Sequence, residues 1–103
     1  MSKELLMVVD AVANEKGVPE SVILDAIEAA LATAAKKRYP EQDVLIRVAI
    51  DPKDGSYETF RRWEVVADDE VMESPDHQIR LMDAAEEAEG VEVGDYIEEQ
   101  IEN

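Results

Sequence analysis

Hydrophobic residues near the N-terminus repeat with the period of an α-helix. They fall at positions i, i+3, i+4 and i+7 of one helical stripe: Leu5, Val8, Val9 and Val12. A stripe of this kind is the face that an amphipathic helix buries. The pattern therefore predicts a first helix over residues 3–16, with Ser2 as its N-cap and Gly17 as the residue that stops it.

A second helical stripe begins after Pro19, which suits the start of a helix. Its apolar positions are Ile23, Ala26, Ile27, Ala30, Leu31 and Ala34. The basic run Lys36, Lys37 and Arg38 follows in the last turn, where cations offset the helix dipole, and Pro40 ends the helix. The small alanines permit close approach of the first helix, so the two helices are predicted to form a hairpin.

The hydrophobic period then changes to two, which is typical of a half-buried strand. The alternating apolar residues are Val44, Ile46, Val48 and Ile50. Residues 51–56 contain the proline and glycine of a turn, and residues 57–66 are rich in aromatic and β-branched side chains. These features predict a β-hairpin.

The remaining chain is acidic and irregular beyond Ala67. A short helix is predicted for residues 80–88, followed by a loop over residues 91–95. Residues 96–101 fit either a helical turn or a strand, and we assign them to a third strand because an isolated hairpin is marginally stable. The predicted fold is α+β over residues 1–103: a helical hairpin packed on a small three-stranded, mostly antiparallel sheet, with one further short helix.

Charge is the feature of composition that most constrains the partners. The net charge is -16, and residues 51–103 hold 18 acidic residues against four basic ones. This charge repels nucleic acid, so a contact with RNA or DNA requires a local basic patch or a neighbouring domain. The absence of cysteine excludes disulfides and thiolate metal sites. The N-terminal apolar run is too short for a signal peptide or a membrane span, so we expect a cytoplasmic protein without membrane contact.

Catalytic motifs are not recognisable in the sequence. The single histidine, His77, lies in a polar stretch and is interpreted as a solvated loop residue. Nucleophile motifs, phosphate-binding glycine loops and metal-ligand spacings are all missing. Carboxylate pairs such as Asp68 and Asp69 are expected by chance in so acidic a chain. We therefore expect no enzyme, no cofactor and no metal.

The most informative local feature is Phe60-Arg61-Arg62-Trp63, which places two arginines between two aromatic residues in the acidic half. Neighbours on a strand point to opposite faces, so one residue of each pair is expected at the surface. Arginine beside aromatic surface is typical of a recognition site. The structural alternative is that both arginines pair with acids on adjacent strands.

Four segments in this order and spacing resemble the N-terminal domain of the NusA family of bacterial transcription factors. They are residues 3–16, 26–39, 59–63 and 94–101, and they extend over nearly the whole chain. The resemblance implies a head that binds RNA polymerase through the β-subunit flap and supports hairpin-dependent pausing, termination and antitermination. In the family this head precedes a helical body and the RNA-binding S1 and KH domains, so the chain is expected to be a fragment.

The resemblance also implies which residues make contacts. The candidates for phosphates of the nascent RNA hairpin are Lys36, Lys37, Arg38, Arg61 and Arg62. The candidates for a polymerase-docking groove are Leu5, Val8, Val12 and Ile27. Residues 67–89 are more acidic than the family pattern, which weakens RNA binding by this fragment alone. Two other functions stay open: an acidic module that mimics nucleic acid and blocks a basic partner, and a small hydrolase that uses an acid pair.

Overall fold

The computed structural model describes residues 3–103, so the predicted N-cap Ser2 lies outside the described residues. Within these residues, three helices and four strands follow one another. They are α1 (Lys3–Lys16), α2 (Glu20–Lys36), β1 (Leu45–Ile50), β2 (Tyr57–Val66), β3 (Gln78–Arg80), α3 (Leu81–Glu87) and β4 (Tyr96–Ile101). The α+β class is confirmed. No helix within residues 3–103 is long and apolar enough to cross a membrane.

The two long helices form the predicted hairpin. Gly17 follows α1 with φ 68°, a left-handed conformation that glycine adopts without steric cost. Pro19 precedes α2 with φ -62°, which suits the start of a helix. The face of α1 that packs on α2 buries Val9 and Ala13, and α2 in turn packs on β1.

Strand β2 is the centre of the sheet. It pairs antiparallel with β1 along one edge and with β4 along the other, because residues 59–62 of β2 have partners in both strands. Glu64 pairs with Tyr96 of β4 and also with Gln78 of β3. A strand has two edges, so β1 and β3 lie end to end on the edge opposite β4.

The predicted count of three strands is wrong, because β3 adds a fourth strand that runs parallel to β2. This strand has three residues, Gln78, Ile79 and Arg80, and is too short to show an alternating pattern. Its glutamine is buried, and the side-chain Oε1 accepts hydrogen bonds from the backbone N–H groups of Glu73 at 2.6 Å and Ser74 at 3.1 Å. Those bonds hold the preceding loop against the sheet.

The sheet has one face that α2 covers and one that is more open to water. The covered face, called the helix face below, includes the buried side chains of Val48, Ile50, Thr59 and Val65. The opposite face carries Arg47, Phe60 and Arg62, because strand neighbours alternate in direction. Thr59 satisfies its hydroxyl by donating to Asn103 Oδ1 at 3.0 Å. The side chain of Asn103 thus satisfies a buried polar group of the core beside β2.

Replacing Val65 by alanine tests the position of the core. Val65 is 1% exposed, and removing its two methyl groups should lower the free energy of unfolding by about 2 kcal/mol through lost burial and a residual cavity. Urea denaturation would measure the change. The matched variant Val71→Ala alters a side chain that is 88% exposed and should leave the midpoint unchanged. Equal effects of the two variants would contradict this core.

Candidate functional site

The basic end of α2 presents two uncommitted cations. Lys36 and Lys37 are exposed, and within residues 3–103 neither side chain forms an ion pair or a hydrogen bond. Arg38 differs, because its Nη1 donates to the backbone oxygen of Glu102 at 2.6 Å. The lysines are therefore available for a ligand, whereas Arg38 also fastens the helix end to the chain that follows β4.

Arg61 lies on the helix face beside this basic end. Its guanidinium carbon is 5.1 Å from the ring centroid of Tyr39 and 4.6 Å from that of Trp63. Its Nη2 donates to the backbone oxygen of Asp76 at 3.1 Å, and its buried Nε has no hydrogen-bond partner among the described residues. Cation–π contacts of this kind stabilise a fold modestly. Arg61 thus attaches two loops to β2 and is only half-exposed.

Arg62 lies on the opposite face of the sheet, as the alternation of β2 requires. Its guanidinium carbon is 3.8 Å from the ring centroid of Tyr96, and its Nε is 2.9 Å from Glu98 Oε2. That Nε is buried and is not oriented for a hydrogen bond, so the contact with Glu98 is an ion pair. The five candidate phosphate contacts therefore do not share one surface. Arg61 lies with the basic helix end, and Arg62 does not.

Glu98 is the centre of a cluster that spans three strands. Arg47 of β1 binds it through two hydrogen bonds, Nε to Oε2 at 2.7 Å and Nη2 to Oε1 at 2.9 Å. The same guanidinium lies over the ring of Phe60, 4.5 Å from its centroid. A bidentate arginine–carboxylate pair is among the stronger surface interactions. The cluster therefore connects the two outer strands across β2.

The ion pair shifts both of its members. The hydrogen bond from Arg47 lowers the pKa of Glu98, and the charges of Arg47 and Arg62 add to this effect against the opposing effect of burial. The same hydrogen bond raises the pKa of Arg47. The two shifts are opposite in sign and have the same cause, because the charged form of each group stabilises the charged form of the other.

His77 lies in a loop, as predicted, but the prediction that it is solvated is wrong. Its side chain is 18% exposed, and Nδ1 lies 2.8 Å from the backbone oxygen of Asp43 and 3.5 Å from Asp43 Oδ2. The N–H of Asp43 donates to Asp76 Oδ2 at 3.0 Å. These contacts connect the segment before β1 with the segment before β3. Within residues 3–103 no group of acids and histidine is arranged to hold a metal ion.

The helical hairpin leaves aliphatic surface uncovered. Of the four candidate groove residues, Leu5, Val12 and Ile27 are half-buried and Val8 is 59% exposed. Met7 beside it is 72% exposed. The width of the apolar stripe on α1 indicated this surface, since a helix that packs on one neighbour buries only one side.

A second depression, lined by apolar and acidic residues, was not predicted. It lies on the helix face, and no residue of α2 lines it. It has a volume of about 410 Å³ and is lined by Trp63, Ile79 and Ile97 together with Glu87 and Glu99. Ile79 belongs to β3, the strand that the pattern did not reveal. Trp63 was the residue that the sequence singled out, but its neighbours in this depression come from three distant segments.

Comparison with known families identifies the family of this chain. The family described as the NusA N-terminal domain matches residues 4–103. The chain belongs to this family. NusA from Bacillus subtilis strain 168 is 38% identical over 102 residues, and NusA from Halalkalibacterium halodurans is 34% identical over 102 residues. Each alignment covers 95% of this chain and 25% of the relative, so the chain spans about a quarter of the length of these proteins.

The fold agrees with that of a solved member of the NusA N-terminal domain family. The solution structure of the N-terminal domain of NusA from B. subtilis superposes with a TM-score of 0.74 at 33% sequence identity. The superposition covers 100% of this chain and 80% of that one. The relatives are named transcription termination/antitermination proteins.

The pKa shift of Glu98 predicts how stability depends on pH. A carboxylate with a lowered folded-state pKa stabilises the fold fully above its ordinary pKa of 4.5, and that contribution is lost as pH falls through the lowered value. We expect Glu98→Gln to lower the free energy of unfolding by about 1 kcal/mol at pH 7. The stability of this variant should also fall less steeply than that of the parent as the pH is lowered. Denaturant midpoints measured from pH 7 to pH 3 would record both effects.

The matched control is Glu86→Gln. Glu86 is exposed on α3 and forms no ion pair within the described part of the chain. This variant should follow the parent at every pH. If both glutamine variants show the same profile, the ion pair with Arg47 does not contribute to the acid dependence.

Proposed function

We propose that the chain is the polymerase-binding head of a transcription termination and antitermination factor. The match of residues 4–103 to the NusA N-terminal domain is the observation that carries this proposal. The names of the relatives agree with it. The head acts by binding its partners and catalyses no reaction. Its partners are RNA polymerase, through the β-subunit flap, and the nascent RNA hairpin in the context of a longer protein.

The RNA contact is proposed at the end of α2. Lys36 and Lys37 supply free cations for phosphates, and Arg38 and Arg61 lie beside them with part of their donors already committed. A duplex bound here is held through its backbone without sequence readout. Arg62 is turned to the other face and needs a separate contact if it also meets RNA.

The polymerase contact is proposed on the helical hairpin. Val8 and the flanking half-buried Leu5, Val12 and Ile27 offer an aliphatic surface to an amphipathic helix. This surface and the basic helix end belong to the same helical hairpin. Simultaneous contact with polymerase and with a formed RNA hairpin favours the paused state, because the head binds that state better than the state without a hairpin.

Family membership favours this function over the acidic mimic of nucleic acid. Both hypotheses predict a basic or apolar protein partner, but only the first requires the two lysines. A pull-down that compares binding of the chain to purified polymerase core with its binding to a basic DNA-binding protein would separate the two hypotheses. Preference for the DNA-binding protein would favour the mimic.

Reversing the two free lysines tests the RNA contact. In the full-length factor, Lys36→Glu with Lys37→Glu should shorten hairpin-dependent pauses by about twofold or more, because two phosphate contacts become repulsive. Single-round transcription on a template with a hairpin pause would measure the lifetime. The control is Lys16→Glu with Lys53→Glu, which changes the net charge equally at other exposed sites. Unchanged pausing in the first variant would overturn the patch.

Introducing a charge at Val8 tests the groove. Val8→Asp should weaken binding to the isolated flap domain by about tenfold, since it places a charge in an apolar contact. Calorimetry would give the affinity, and circular dichroism would check the fold. Val71→Asp is the matched control because Val71 is exposed and distant in sequence from the hairpin. Equal affinity of both variants would place the flap elsewhere.

A further inference from the structure

The outer edge of β4 carries backbone groups without partners. Val65 donates to Asp95 and accepts from Gly94, whereas Glu64 donates to His77 on the other edge. Odd-numbered residues of β2 therefore bond toward β4, and the paired residues of β4 are Ile97, Glu99 and Ile101. The alternate residues point their N–H and C=O groups away from the sheet. They are Tyr96, Glu98 and Gln100.

The edge formed by β1 is better protected. The outward N–H of Ile50 donates to Glu28 Oε2 of α2 at 2.8 Å, in a partly buried hydrogen bond. The helix itself packs along β1. No backbone or side-chain group of residues 3–103 bonds in the same way to the outward groups of β4. An edge of this kind is a template for another strand.

The surface on both sides of this edge suits an added strand. On the helix face the depression between Trp63, Ile97 and Ile79 opens beside β4. On the other face a shallower depression of about 450 Å³ is bordered by Glu89, Asp95 and Tyr96, and also by the paired Arg62 and Glu98. An added strand would direct alternate side chains into these two depressions.

Charge decides which strand the edge accepts. Residues 91–103 contain five acids and no basic residue. These acids disfavour pairing with a second copy of β4, because like charges on neighbouring strands repel. The same acids attract an extended segment that carries lysine or arginine. Apolar residues at alternate positions would meet Ile97 and Ile101 on the helix face.

We propose that β4 binds an extended basic segment of a partner protein as an additional antiparallel or parallel strand. The partner segment alternates apolar and basic side chains. Its backbone bonds to Tyr96, Glu98 and Gln100, and its apolar side chains lie toward Trp63. On the opposite face Glu98 is already paired with Arg47 and Arg62, so the cations of the segment meet Glu89 and Asp95, which border the second depression. This surface is separate from the helical hairpin and the lysines, so it does not depend on the proposed function.

A synthetic peptide can serve as the probe. A seven-residue peptide that alternates arginine and isoleucine, blocked at both ends, has the required charge and pattern. Amide hydrogen exchange of the 103-residue chain would be followed by NMR with and without it. The outward amides of Tyr96, Glu98 and Gln100 should become protected by about tenfold or more, while the already paired amides of Ile97 and Glu99 change little.

Two variants separate backbone pairing from charge attraction. Gln100→Pro removes one outward N–H and keeps the bonds to β2, so the sheet should stay folded and the peptide affinity should fall about tenfold. Gln100→Thr keeps the N–H and should bind like the parent. A peptide N-methylated at every second residue should also fail to bind, although its charge is unchanged.

Each alternative result overturns the proposal. Shifts confined to α1 and α2 would place the peptide on the helical hairpin. Equal binding of the N-methylated peptide or of the proline variant would show simple charge attraction. Protection of the outward amides without peptide, increasing with protein concentration, would identify a second copy as the occupant.

Discussion

The backbone of β2 is hydrogen-bonded along both edges, and this constraint fixes the rest of the structure. Every other strand takes its register from β2, in one direction or the other. The helical hairpin is attached to this frame through α2 and β1. Because the period of a strand is two, the same constraint sends the adjacent Arg61 and Arg62 to opposite faces. The distribution of positive charge follows directly from the sheet.

Much of the fold could be predicted because its signals are local. The two helices and the first hairpin carry long periodic patterns, and β4 was recovered from the need for a partner strand. Strand β3 was missed for a physical reason. Its three residues contain one apolar side chain, and its parallel pairing with β2 joins segments that no short-range pattern connects. Gln78 did not indicate a buried strand, because glutamine is usually exposed.

Only part of the candidate site could be predicted from the sequence. The lysines of α2 were visible because a helix end needs no tertiary information. The contacts of Arg61 and Arg62 could not be predicted, because they depend on which aromatic rings and acids other segments place beside them. Arg61 meets Tyr39, and Arg62 meets Tyr96, at separations of 22 and 34 residues along the chain. His77 was misread for the same reason, because Asp43 approaches it from a remote segment.

The bond between Arg47 and Glu98 has a further consequence for how the sheet assembles. A slip of one residue between β1 and β2 would turn Arg47 toward α2, where its guanidinium would lose both water and its carboxylate. The misaligned hairpin would then be penalised even though its backbone bonds could still form. This salt bridge on the open face therefore favours the native register of β1 and β2. It can form only after β4 has paired with β2, because Glu98 belongs to β4.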